Sequence, residues 1–145
     1  MTTMTPPATP PVTPPVTLPA AADRYLAERV LNASPAELTA MLYDACVGAI
    51  KVAIRLQESG EHVAAVPRLG KAQDILLELR STLNHSAGQE AGELASKLDA
   101  LYTFAWQQLT TSVLKKDPAA ARAALEVVEP IQQAWRASCL SAAVA

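Results

Sequence analysis

From Asp23 onward apolar side chains return every three or four residues, and the stretches that carry them are separated by short segments rich in Gly, Asn, Ser or Pro. That spacing matches the turn of an α-helix and gives each stretch one apolar face; a half-buried strand would need strict alternation, which no stretch shows. The first long stretch opens at Ser34-Pro35-Ala36-Glu37. A serine that accepts from the N3 amide, a proline at N1 and a glutamate that reaches back make a capping box, the most specific helix start in the chain. The predicted helix covers 35–58, ends near Gly60, and carries Leu38, Met41, Leu42, Ala45, Ala49, Val52, Ala53 and Leu56 on its apolar face.

Three further helices follow. The second places Leu69, Ala72, Ile75, Leu76, Leu79 and Leu83 on one face, with Pro67 in its first turn and Asn84 and Gly88 closing it. The third covers 90–116 with Leu94, Leu98, Leu101, Tyr102, Ala105, Leu109 and Val113, and its terminal lysines suit the helix dipole. At Asp117-Pro118 an aspartate N-cap and a proline at N1 start the fourth, which carries Leu125, Val128, Ile131 and Trp135. Pro130 inside it removes one backbone bond and predicts a kink or a division into two shorter helices. Long helices with short connections favour antiparallel neighbours, so the expected fold is all-α, an antiparallel up-down four-helix bundle. Tyr25, Leu26, Val30 and Leu31 precede it as a short N-terminal helix or strap.

The organisation predicted is a disordered tail over 1–22, one bundle domain over 23–138 and a C-terminal tail over 139–145. The first segment repeats Thr-Pro-Pro at Thr5, Thr9 and Thr13, and its prolines fix φ and remove donors, which favours solvated polyproline II. The net charge of −2, without a long run of either sign, offers no footprint for nucleic acid or an anionic membrane. No apolar run suggests membrane insertion, and Cys46 and Cys139, far apart and without a secretory leader, fit a reducing cytoplasm. His62 and His85 lack ligand spacing and read as exposed or capping residues, Cys46 as an inert core thiol, and Glu126 with Glu129 as solvated surface. With no phosphate loop or nucleophile motif, no cofactor, metal or catalytic residue is expected, and recognition through apolar surface is the function left.

Several residues resemble the flagellar secretion chaperone (FliS) family in order and spacing. They are Tyr25 and Val30, then Ala33-Ser34-Pro35, Leu38 and Met41-Leu42-Tyr43-Asp44. Downstream stand Lys71-Ala72-Gln73-Asp74-Ile75, Glu78-Leu79, Thr82-Leu83-Asn84, Leu101-Tyr102, Lys116-Asp117-Pro118 and Trp135. The resemblance implies a cytoplasmic chaperone without ATP that binds the disordered C-terminal segment of flagellin, blocks premature polymerisation and presents the subunit for type III export. A regulatory adaptor for an anti-sigma factor or another export component is the alternative. A chain that folds on binding needs a long apolar groove on a rigid partner. The expected groove residues are Ile75, Leu79, Tyr102 and Trp106, with Tyr25 and Val30 on a strap that covers the groove when empty. The sequence departs from the family pattern at Ala45, where many members have glycine, and at Gln107-Gln108, where they have a basic pair. Pro130 and the proline-rich start have no usual counterpart.

Overall fold

The computed structural model describes residues 18–144, as five helices: α1 (Leu18–Asn32), α2 (Pro35–Glu58), α3 (His62–Ser81), α4 (Gln89–Lys115) and α5 (Pro118–Val144). The chain divides after Ala33 into two units, α1 in the first and α2 to α5 in the second. The tail expected over 1–22 falls outside the described residues up to Thr17, and residues 18–22 belong to α1.

The capping logic holds where it was strongest. Ser34 is extended at φ −68° and ψ 162°, and its hydroxyl accepts from the Glu37 amide at 3.2 Å, so α2 starts at Pro35. At the α4–α5 joint the Ala119 amide donates to Asp117 Oδ1 at 2.9 Å, the N-cap that Asp117-Pro118 predicts. Gly60, at φ 80°, lets the chain leave α2 so that the Glu61 amide donates to the Leu56 carbonyl at 2.7 Å.

Helices α2 and α4 each pack against both α3 and α5, so the four stand in a ring in chain order, joined by the short connections 59–61, 82–88 and 116–117. This is the up-down bundle. Its core is a contiguous cluster that includes Ile50, Leu69, Leu76, Leu79, Leu109 and Val128. The expected face of α3 is the buried one. In α2 the expected Ala49 and Ala53 are buried, joined by Tyr43, Cys46, Val47, Ile50 and Ile54, while Leu38 is exposed. That helix is apolar on most of its circumference, so periodicity alone does not choose which stripe turns inward. On α4, Leu94 and Leu101 are exposed and Ala95, Tyr102, Ala105 and Leu109 are buried.

Pro67 corrects the sequence reading, and Pro130 corrects one of its two alternatives, the division of the helix. Pro67 lies inside α3, beyond its first turn, and α5 runs as one helix through Pro130 to Val144, across the stretch expected to divide and into the expected C-terminal tail. Each proline leaves the carbonyl four residues earlier without its helical donor. Val63, Pro67, Glu126 and Pro130 are all exposed, so water can serve those carbonyls and the helices continue.

An ion-pair ladder joins α2 to α5. Arg136 holds Asp44 through two contacts, at 2.5 and 3.1 Å, Lys51 meets Glu129 at 2.7 Å, and Arg122 meets Glu58. Going up α2 the positions advance by two turns each time, and going down α5 their partners do the same, with the sign alternating at every rung. Sliding the helices by one heptad would set Asp44 against Glu129 and Lys51 against Arg122. Like charges then face each other, so the ladder favours one register of an antiparallel pair.

Candidate functional site

The motif Met41-Leu42-Tyr43-Asp44 splits its side chains between two tasks. Tyr43 turns into the core and shares a hydrogen bond with the Tyr102 hydroxyl on α4, and its ring lies 6.0 Å from that of Trp135 on α5, tilted by 48°. Trp135 in turn donates its indole N–H to the Ala36 carbonyl at 3.0 Å. Asp44, one position on, points outward to Arg136 and accepts from Gln132 at 2.8 Å. The motif therefore clamps α2, α4 and α5 at one end of the bundle. Burial pushes the Tyr43 hydroxyl above its usual range, partly offset by the Tyr102 bond, and pushes Tyr102 further in the same direction. Two neutral phenols thus satisfy one another where water is excluded.

Cys46 is fully buried, its thiol 3.7 Å from the Ala72 carbonyl, and desolvation raises its pKa to about 12. A thiol so protonated is not a nucleophile. His85 is exposed, 3.9 Å from Asp99, while His62 is half-buried at the start of α3, with Nδ1 buried and unbonded. Among the described residues no group of three or more His, Cys, Asp or Glu is placed to hold a metal ion. Among them, no helix is long and apolar enough to cross a membrane.

A cleft of about 220 Å³ opens between α3 and α4, lined by Leu76, Leu77 and Arg80 on one side and Tyr102, Thr103, Trp106 and Gln107 on the other. Its walls are held by polar bonds. Gln73 donates to the Trp106 carbonyl at 3.1 Å and to the Thr110 hydroxyl at 2.7 Å, and Arg80 is bonded to Asp99. A wider hollow of about 600 Å³ lies at the end of the bundle, where Tyr43, Leu79, Leu83, Leu94, Tyr102 and Trp135 contribute to its lining.

The residues expected in a groove are distributed as follows. Trp106 is half-buried and lines the α3–α4 cleft; Tyr102 reaches both cavities although only 2% exposed. Ile75 and Leu79 are 8% and 2% exposed and are core residues, because the inward stripe of α3 carries them; Leu79 also touches the end hollow. Of the wall residues, Leu76 belongs to the expected core face, whereas Leu77, 48% exposed, lies off the apolar period of α3, and that position is the sequence signal for it. On α1, Tyr25 and Val30 are 64% and 46% exposed. Of the departures from the family pattern, Gln107 lines the cleft, whereas Ala45 packs against the core and Pro130 is exposed on α5.

Comparison with known proteins agrees with this arrangement. A solved chain titled as a flagellar chaperone from bacteria superposes with a TM-score of 0.64 over 84% of this chain and 97% of its own, at 20% identity, which establishes the shared fold. Flagellar secretion chaperones FliS from Vibrio cholerae serotype O1 and Bacillus subtilis strain 168 are 33% and 30% identical, covering 71% and 77% of this chain and 74% and 80% of their own. The counterpart from Salmonella typhimurium is 32% identical over 74% of this chain and 78% of its own. The sequence pattern of the family described as Flagellar protein FliS matches residues 18–142, so this chain belongs to the FliS family.

Proposed function

We propose that the protein is a flagellar export chaperone that binds the disordered C-terminal segment of flagellin along the α3–α4 cleft, preventing premature polymerisation and handing the subunit to type III export. The supporting observation is the cleft itself: Leu76, Leu77, Tyr102 and Trp106 form an apolar trough on two helices cross-braced by Gln73 and Arg80. A disordered chain loses much ordering entropy when it binds, and a wall that is already rigid avoids adding to that loss. Trp106 is the residue of greatest binding weight in this reading, since a half-buried tryptophan supplies a large fixed apolar face. Tyr102 forms the floor, and Ile75 and Leu79 hold α3 in place from beneath. The site of action is the cytoplasm, before export.

Titration of a flagellin C-terminal peptide against the wild type and Trp106→Ala tests the reading. Micromolar or tighter binding lost in the variant supports it, and equal affinity would overturn it. Pull-down with flagellin lacking its C-terminus distinguishes this role from that of an adaptor for an anti-sigma factor or another export component, because only the chaperone reading requires that segment.

A further inference from the structure

Two buried tyrosines meet in the core of this bundle at a place where two phenylalanines would pack as well. Tyr43 on α2 and Tyr102 on α4 are 3% and 2% exposed, and each hydroxyl has the other as its partner. Helices α2 and α4 stand diagonally in the ring, so the bond crosses the core. Replacing both members of a buried hydrogen bond by apolar groups of the same shape is close to neutral for stability. The fold alone therefore does not call for the two hydroxyls; what a satisfied polar pair adds to a core is direction, because it holds its side chains in one arrangement.

Position supplies the reason. The α3–α4 cleft and the hollow at the bundle end share one lining residue, Tyr102, whose ring is a wall between them. Tyr43 and Trp135 line the hollow and are not among the residues that line the cleft. Tyr43 is itself held. Its ring lies 6.0 Å from that of Trp135, and the Trp135 indole donates to the Ala36 carbonyl at 3.0 Å, which ties α5 to the first turn of α2. On the cleft side Gln73 fixes the backbone of α4 one turn on from Tyr102, through its 3.1 Å bond to the Trp106 carbonyl. Backbone bonds do not fix a ring that can rotate about χ1, and Tyr102 has space on either side, about 220 Å³ in the cleft and about 600 Å³ in the hollow. The bond to Tyr43 opposes that rotation.

Resting on the cleft reading above, we infer that Tyr43 is a positioning residue for substrate binding: from the far side of the wall its hydroxyl locks the Tyr102 ring as the floor of the cleft. The depth that a bound segment meets is thereby set by a residue that does not touch it. Without the Tyr43 hydroxyl, Tyr102 keeps a buried O–H with no acceptor, and turning toward either cavity brings it to water. Only the fraction of molecules with the floor in place then binds well, and apparent affinity falls by that fraction. Equal filling of three staggered wells gives a loss of about threefold. Removing the Tyr102 hydroxyl as well takes away the reason to turn, so the second substitution should recover part of what the first loses.

Calorimetric titration of the full chain with a synthetic flagellin C-terminal peptide tests this, using wild type, Tyr43→Phe, the pair Tyr43→Phe with Tyr102→Phe, and Trp106→Ala. Magnetic resonance of ring-labelled tyrosine follows the floor itself, and the chain has only three tyrosines to assign. Tyr43→Phe should weaken binding about threefold or more and broaden the Tyr102 signals. The double variant should bind tighter than Tyr43→Phe, a recovery of affinity that a purely structural pair does not produce. If Tyr43→Phe melts earlier yet binds as wild type, while Trp106→Ala loses binding, the positioning role is refuted and the cleft stands. A double variant no tighter than Tyr43→Phe would equally overturn it. If Trp106→Ala binds as wild type, the cleft reading itself falls and this inference with it. Where Tyr43→Phe is too unstable to titrate, the wild type serves: adding peptide should shift the ring signals of Tyr43 together with those of Tyr102, and an unmoved Tyr43 signal would refute the link.

Discussion

Reversing one rung of the α2–α5 ladder tests whether these exposed charges hold the helices in register. Lys51 and Glu129 are 2.7 Å apart with side chains 51% and 31% exposed, so their attraction is screened and should contribute about 0.5 kcal/mol. Glu129→Lys removes that attraction and adds a repulsion of similar size against Lys51, for a loss of about 1 kcal/mol. In a domain of this length that lowers the melting temperature by about 4 °C. Lys51→Glu should cost a similar amount by facing Glu129. The double exchange restores an opposite pair and should return to within about 0.5 kcal/mol of wild type, giving a coupling of about 1 to 2 kcal/mol. Urea and thermal denaturation of the four proteins close the cycle, and 1 M salt should shrink the coupling, since the Debye length there is about 3 Å. Additive losses from the two single variants would refute the argument. Register would then rest on the core alone, with the rungs as bystanders.

Three other outcomes follow from buried or strained positions. Because desolvation lifts the Cys46 pKa from 9.0 to about 12, the native state keeps a proton that the unfolded chain loses above pH 9. Stability should therefore be unaffected by this group below about pH 9 and fall by up to about 1.4 kcal/mol per unit above it, a slope that Cys46→Ala should reduce when denaturation midpoints are compared from pH 8 to 10.5. Lys116 closes α4 in the left-handed region at φ 52° and ψ 42°; Lys116→Gly should raise stability by up to about 1 kcal/mol in chemical denaturation, and a loss would show that the lysine side chain supplies more than the strain removes. Leu79→Ala empties a site 2% exposed and should cost about 2 to 5 kcal/mol, against about 1 for Ser34→Ala at the N-cap; the reverse order in midpoint shifts would contradict the assignment of Leu79 to the core.

The site was legible in the sequence only in part. Trp106 and Tyr102, expected in the groove, both line the cleft, Tyr102 from the core side at 2% exposure. Ile75 and Leu79 were assigned to the groove with them, yet α3 turns them inward. A helix with apolar residues on more than one stripe does not reveal which stripe its neighbours cover. Leu77 shows the converse: it lies off the main apolar period, and it lines the cleft.

What the sequence by itself determined is local. Ser34-Pro35-Ala36-Glu37 and Asp117-Pro118 set helix starts through hydrogen bonds spanning a few residues, and the spacing of Leu69, Ala72, Leu76 and Leu79 set one buried face, because those interactions lie within a turn or two of backbone. The tertiary structure alone decided what depends on residues far apart in the chain. Tyr43 meets Tyr102, Asp44 meets Arg136, and Glu129, read as plain solvated surface, becomes a rung with Lys51. It also let α3 and α5 pass through Pro67 and Pro130, since whether a broken backbone bond is tolerated depends on which side of the helix faces water.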